Sequence, residues 1–220
     1  MLNKQKGNMY PWVTHTWNPI KGRCPHRCSY CYMRKYWDRL GNPYLDTKCF
    51  KDNLGEGNTI FVGSSIDMWA KKIPLDWIAK VLDYIEKYPK NMYLFQSKNP
   101  LQMANFVLLF PSNSILGTTI ETNRDYNISF APSVKERVLW LKLLSKTFKT
   151  MVSIEPILDF DLDILVSWIK SIQPDFVSIG ADSKGHGLPE PPRQKILKLI
   201  DELKKFTEVK VKSNLKRIIG

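Results

Sequence analysis

The sequence predicts an α/β fold: a partial or complete parallel (β/α) barrel, TIM-like, of about six to seven βα units in one domain spanning residues 1–220. Three observations predict it. Short β-rich apolar runs recur along the whole chain. Amphipathic segments of helical period separate them. The apolar runs stop, one after another, in polar residues, as strands do at the mouth of such a barrel.

The elements follow in order. YPWVTHTW, residues 10–17, reads as the first strand. NTIFVG (58–63), NMYLFQ (91–96), SILGTTIE (114–121), TMVSIE (150–155), DFVSIG (175–180) and TEVKVK (207–212) read as the later ones. Residues 75–88 place Trp77, Ile78, Val81, Leu82 and Ile85 on one stripe, the mark of a helix with one buried face. Residues 133–146, 162–172 and 193–206 behave likewise, the last through Ile196, Leu199, Ile200 and Leu203. A further helix is expected between Cys31 and Cys49. A doubly wound open sheet is the second reading, but no glycine-rich phosphate loop follows the first strand.

The strand ends carry candidate site residues: Ser64, Ser65 and Asp67; Gln96 and Lys98; Thr119, Glu121 and Asn123; Ser153 and Glu155; Asp182 and Ser183; Lys212 and Asn214. Loops after strands are polar in any fold and cap the next helix, so one such residue says little. Several strand ends doing so together point to one shared site.

The net charge is +12. Residues 1–54 hold ten Lys/Arg against three Asp/Glu, and residues 190–217 hold nine against four, so both ends are basic. Solubility would explain this, and so would a polyanionic partner such as a nucleic acid. The opening MLNKQKGNMYPW lacks the apolar stretch of a secretory signal, and no run of about eighteen apolar residues exists. The expectation is a cytoplasmic protein with no membrane span.

Three of the four cysteines, Cys24, Cys28 and Cys31, lie together in KGRCPHRCSYCYMRKYW, spaced C-x3-C-x2-C. Crowded thiols in a chain of this size suit a metal or redox role in a reducing compartment better than disulfides. Thiolates favour zinc or iron in clusters. A structural zinc site needs a fourth ligand, which His26, His15 or Cys49 would have to supply. A [4Fe–4S] cluster held by three thiolates instead leaves one iron open.

CPHRCSYCY resembles the C-x3-C-x-Φ-C signature of the radical S-adenosylmethionine (SAM) superfamily, with Tyr30 in the aromatic position. HTWNPIKGRC, FVGSSIDMW, GTTIETN, SIEPI and IGADS, in that order, resemble a small phage-associated branch of it. The resemblance implies that Cys24, Cys28 and Cys31 ligate a [4Fe–4S] cluster whose fourth iron is chelated by SAM. It also implies an external electron donor, reductive cleavage to a 5′-deoxyadenosyl radical, and hydrogen abstraction from a substrate. By position it assigns SAM contacts to Tyr30, Ser64, Ser65, Asp67, Thr119, Glu121 and Glu155. Ser65 and Asp67 stand where the superfamily carries a glutamate. Gln96, Lys98, Asp182 and Lys212 are expected to meet the substrate, possibilities for which include a nucleic acid or nucleotide, a peptide, or a small anionic metabolite. No residue is singled out for the chemistry itself. Two other readings stand beside it: a zinc-stabilised nucleic-acid-binding module without redox chemistry, and a cluster that is only structural or electron-transferring.

Overall fold

A computed structural model describes residues 1–220. Its core is an eight-stranded sheet in the order β1-β2-β5-β6-β7-β8-β9-β10. The strands are β1 (Leu2–Lys4), β2 (His15–Trp17), β5 (Thr59–Val62), β6 (Met92–Gln96), β7 (Ser114–Thr119), β8 (Lys149–Ile154), β9 (Phe176–Ile179) and β10 (Glu208–Val211). A small ribbon, β3 (Ile20–Lys21) with β4 (Tyr44–Leu45), stands apart. From β2 onward every neighbouring pair of the large sheet is parallel, and β1 alone runs antiparallel, against β2.

The strands from β2 to β10 lie in chain order with no reversal, so the sheet is wound in one sense. This rules against the doubly wound alternative, whose order reverses at a switch point. β1 and β10 are edges with no partner on one side, so the sheet is open and is not closed into a barrel.

Helices α1 (Leu75–Glu86), α2 (Pro100–Ala104), α3 (Val134–Leu144), α4 (Leu162–Ile172), α5 (Arg193–Lys204) and α6 (Lys216–Ile219) follow β5 to β10 in turn. Their apolar stripes meet one face of the sheet. Ile78, Val81, Leu82 and Ile85 of α1 share a core with Ile60, Val62, Phe95 and Leu116. Leu165 and Ile169 of α4, with Ile196, Leu199 and Leu203 of α5, pack on Val152, Ile154, Val177 and Ile179. A capping box between Ser133 and Glu136 sets where α3 begins.

The other face has no helices and is filled by the chain itself. The segment expected as the first strand pairs only over His15–Trp17. Residues 9–13 instead cross the inner face, where Tyr10, Val13 and Trp12 pack on Phe61, Leu94, Ile115, Met151 and Phe176. Trp12 stacks on Tyr10 at 5.4 Å and meets Phe176 edge-on at 5.2 Å. Pro11 cannot donate to a ladder, and burying these rings together replaces what pairing would have contributed. β7 is consequently buried along its whole length.

The stretch between β2 and β5 also departs from expectation. The helix anticipated after Cys31 is a short 3-10 turn, Tyr32–Tyr36, and a second one spans Thr47–Lys51. Gly41 and Pro43 break the stretch, and no residue of the first turn is buried, so no apolar face holds a longer helix. No helix is long and apolar enough to cross a membrane.

Trp69 is fully buried among Phe95, Phe106 and Phe110. Trp69→Ala should cost about 3–5 kcal/mol. Urea unfolding should show a lower midpoint with an unchanged slope.

Candidate active site

At the C-terminal ends of the strands the sheet opens into a cavity of about 480 Å³. Its floor is polar where the packed strap ends. The Tyr10 hydroxyl donates to Gln96 Oε1 at 2.8 Å and lies 2.9 Å from Ser153 Oγ, bridging β6 and β8. Gln96 in turn donates to Thr119 Oγ1 at 3.1 Å.

Cys24, Cys28 and Cys31 all line this cavity, on the loop between β3 and the Tyr32–Tyr36 turn, and none is in a disulfide. Several bonds hold the loop in place. His26 Nε2 lies 2.9 Å from Asp67 Oδ2. The Tyr30 hydroxyl donates to Glu121, and the Tyr32 hydroxyl to Ser64 O at 2.8 Å. Ser29 N donates to Ile128 O at 2.8 Å and Phe130 N to His26 O at 2.7 Å, tying the loop to the segment before α3. Burial, with Asp67 nearby, pushes the Cys24 thiol up to about 12, and burial raises Cys28 as well. Both thiols are therefore neutral until something replaces their protons.

Three thiols on one short loop suit a soft or borderline metal, zinc or iron in a cluster. No three His, Cys, Asp or Glu side chains gather closely enough to hold a single metal ion. None of the three residues weighed as a fourth zinc ligand joins the thiols. His26 is bonded to Asp67. His15 lies beside Thr14 Oγ1, and Cys49 is buried beside Asn18 O at 3.6 Å. Neither His15 nor Cys49 lines the cavity.

Tyr30, Ser64, Ser65, Asp67, Gln96, Lys98, Thr119, Glu155, Asp182 and Lys212 all line the cavity with the cysteines. Glu121 does not. It is buried behind the wall, where its Oε2 accepts from Arg137 Nη1 at 2.8 Å and its Oε1 lies 3.8 Å from Lys98 Nζ. Burial opposes its charge, but Arg137 and Lys98 outweigh that and hold the carboxyl below its usual range. Asp67 is also fully engaged, accepting from Ser97 Oγ at 2.8 Å, Lys98 N at 2.8 Å and Trp69 N at 3.0 Å besides its bond to His26. Asn18 Oδ1 accepts from Ser65 N at 2.8 Å and Ser65 Oγ at 3.0 Å, fixing the turn after β5.

On the opposite wall, Lys212 Nζ donates to Glu155 Oε2 at 2.7 Å and to Asn8 O at 2.6 Å. Glu155 Oε1 accepts from Asn214 Nδ2 at 2.9 Å and Asn8 Nδ2 at 3.0 Å. Gly180 makes room for this cluster, since a Cβ there would lie 2.7 Å from Glu155 Oε1. Asn8, Tyr10, Ser97, Arg137 and His186 belong to the site yet carry no local sequence signal. Asn8, Tyr10, Ser97 and Arg137 are assigned by partners distant in the chain, at Glu155, Ser153, Asp67 and Glu121, and His186 by Asp182 four residues before it.

Residues 8–188 match a family described as "Protein of unknown function (DUF5131)". The chain belongs to the DUF5131 family. No curated protein matches it. Solved structures resemble this DUF5131 protein in fold. Spore photoproduct lyase complexed with dinucleoside spore photoproduct gives a TM-score of 0.68 at 9% identity, over 94% of this chain and 78% of the lyase. A mutant of that lyase with bound AdoMet and dinucleoside spore photoproduct gives 0.59 at 11% identity, over 92% and 64% of the two chains. Streptococcus suis SuiB bound to S-adenosylmethionine gives 0.59 at 10% identity, over 89% of this chain and 49% of SuiB. At such identities the likeness establishes the fold, an α/β domain with a mostly parallel sheet of eight strands.

Arg137→Met leaves the buried Glu121 without its strongest partner. It should destabilise the protein by about 3–5 kcal/mol at neutral pH. In the native protein the depressed Glu121 carboxyl contributes stability above its unfolded pKa, and that share is lost as pH falls through the folded value. The gap between variant and native protein should therefore narrow in acid. Urea titrations at neutral and acidic pH check it, and a gap that widens in acid would count against the pairing.

Proposed function

We propose that this DUF5131 protein is a radical SAM enzyme. The observation that carries this is the opening of three free thiols, Cys24, Cys28 and Cys31, onto one cavity at the C-terminal ends of a parallel sheet. The fold shared with enzymes that bind SAM supports it, and the order of short motifs supports a place in the phage-associated branch. In this reading the thiols hold a [4Fe–4S] cluster and an external donor supplies the electron. When bound, cluster and SAM together supply a 5′-deoxyadenosyl radical that takes a hydrogen atom from the substrate.

The chain's own residues bind, orient and exclude water. Deprotonated Cys24, Cys28 and Cys31 are the ligands, and the bonds of His26 to Asp67 and of Tyr30 to Glu121 keep their loop in register. Ser64 and Ser65, held by Asn18, are the hydroxyls available to the SAM amino group, because the oxygens of Asp67 already have donors. Thr119 and Gln96 line the cavity where ribose hydroxyls would lie. Glu121 acts there indirectly, by holding Tyr30 and Lys98. Glu155 and Lys212 form the wall across from the cysteines. The strap under Tyr10 closes the floor, which keeps water from a reactive intermediate.

The substrate reading is a nucleic acid or nucleotide, supported by the net charge of +12 and by Lys6, Lys35, Lys98, Lys184 and Lys212 at the cavity.

Anaerobic reconstitution with iron and sulfide should turn the protein brown and yield 5′-deoxyadenosine from SAM and a reductant. Cys28→Ala should abolish both, while Cys49→Ala keeps them. A colourless product that holds only zinc would sink the proposal. Binding of a single-stranded oligonucleotide should weaken by orders of magnitude between about 50 and about 200 mM salt. No binding even at the lower salt would remove nucleic acid as the substrate class and leave the radical chemistry standing.

A further inference from the structure

Asp182 lies three residues past the end of β9 and is 6% exposed. Its carboxylate is taken up by its own loop. It accepts from Lys184 N at 3.1 Å and His186 N at 2.5 Å, and Oδ1 lies 2.7 Å from His186 Nδ1. Burial opposes the charge, but these His186 and Lys184 bonds outweigh it and hold the carboxyl below its usual range. The loop wraps this tightly because Gly185 and Gly187 take φ of 66° and 67°, the left-handed region. Nothing lies within 4 Å of a Cβ at either glycine, so conformation and not crowding requires them.

Asp182 is therefore spent on shaping the loop, and the groups it presents are those of Lys184 and His186. Both residues line the cavity. With Nδ1–H donating to the carboxylate, Nε2 is left without a partner, and as an imidazolium the ring offers an N–H there as well. The surrounding charge selects the ligand. Each carboxylate of the cavity wall has a cationic or imidazole partner: Asp67 has His26, Glu155 has Lys212, and Asp182 has His186. Lys184 has no acidic partner, nor do Lys6 and Lys35 across the mouth. The charge left over at this rim is positive and suits an oxyanion.

We propose that the Ser183–Gly187 loop is a phosphate-binding subsite for the substrate, with Lys184 Nζ and the Nε2–H of a His186 imidazolium contacting one phosphate group and Asp182 as the positioning residue. The proposal rests on the anionic-substrate half of the reading above and does not need the cluster. It also moves Asp182 from a substrate contact to a support.

The test is calorimetric titration with thymidine 5′-monophosphate and with thymidine, on the protein as purified and again after reconstitution with iron, sulfide and SAM. The monophosphate should bind about tenfold or more tightly than the nucleoside in both forms. The advantage should vanish in the Lys184→Gln/His186→Gln double variant. Asp182→Asn should lose most of it although both contacting side chains remain. In the phosphate complex its histidine ring ¹⁵N signals should move from the doubly protonated ring toward neutral tautomers, which simple loosening elsewhere in the protein does not produce. If Asp182→Asn fails to fold, the double variant, on an exposed loop, decides alone. Equal binding of the two probes, or an advantage that survives the double variant, overturns the subsite. Failure to form 5′-deoxyadenosine, with the phosphate preference intact, would instead fail the radical reading and leave the subsite in place.

Discussion

The site depends on one constraint: charged side chains at the ends of buried strands must be paired before the sheet can close over them. Removing a carboxylate from water costs several kcal/mol unless a partner compensates. Four strand ends carry one each, at Asp67, Glu121, Glu155 and Asp182. Each is compensated from a different element: His26 on the cysteine loop, Arg137 on α3, Lys212 after β10, and His186 on the loop after β9. The pairs do more than neutralise. Each one tethers a segment that the sheet itself does not hold.

The cysteine loop shows this most directly. It has no regular secondary structure of its own before the short 3-10 turn, and its three thiols would otherwise be mobile. His26 and Tyr30 fasten it to Asp67 and Glu121, on either side of β6 in the sheet. Glu121 is itself fixed from behind by Arg137, which also donates to Thr119 O at 3.1 Å and Pro132 O at 2.8 Å. The route from α3 through Glu121 to Tyr30 thus carries the rigidity of the helical layer to the loop beside Cys28 and Cys31.

Much of the architecture was legible in the sequence because burial on one side leaves a period. Helices α1, α3, α4 and α5 and strands β5 to β10 fall within about two residues of where the apolar pattern puts them. The failures have physical causes. Residues 10–14 are as apolar as a strand, but Pro11 and the two large rings of Tyr10 and Trp12 make the inner face of the sheet the better burial. Residues after Cys31 lack an apolar stripe, so the helix expected there is a 3-10 turn. The cysteine spacing is local and could be read directly. The pairings could not, since the partners stand 41 residues apart for His26 and Asp67, 57 for Glu155 and Lys212, and 91 for Tyr30 and Glu121. Polar strand ends pointed to the right rim of the sheet, but they could not distinguish a carboxylate that faces the cavity from one, like Glu121, that is shut behind it.

Pairing also decides what the cavity has left to offer. Asp67, Glu155 and Asp182 line the wall, and each already has donors on its oxygens. The groups still free are thiols, hydroxyls, ammonium groups and one imidazole nitrogen. Such an inventory is poor at holding hard cations, which need uncommitted oxygens. It suits soft metals on one wall and oxyanions on the other. The two walls are separated by the polar floor of Tyr10, Gln96, Thr119 and Ser153, which rests on the aromatic strap beneath. A ligand spanning the cavity would meet sulfur at one end, neutral hydroxyl and amide groups in the middle, and Lys184 with His186 at the other. That arrangement is what remains once the buried carboxylates are paired, so folding and the groups left for a ligand have a common physical origin here.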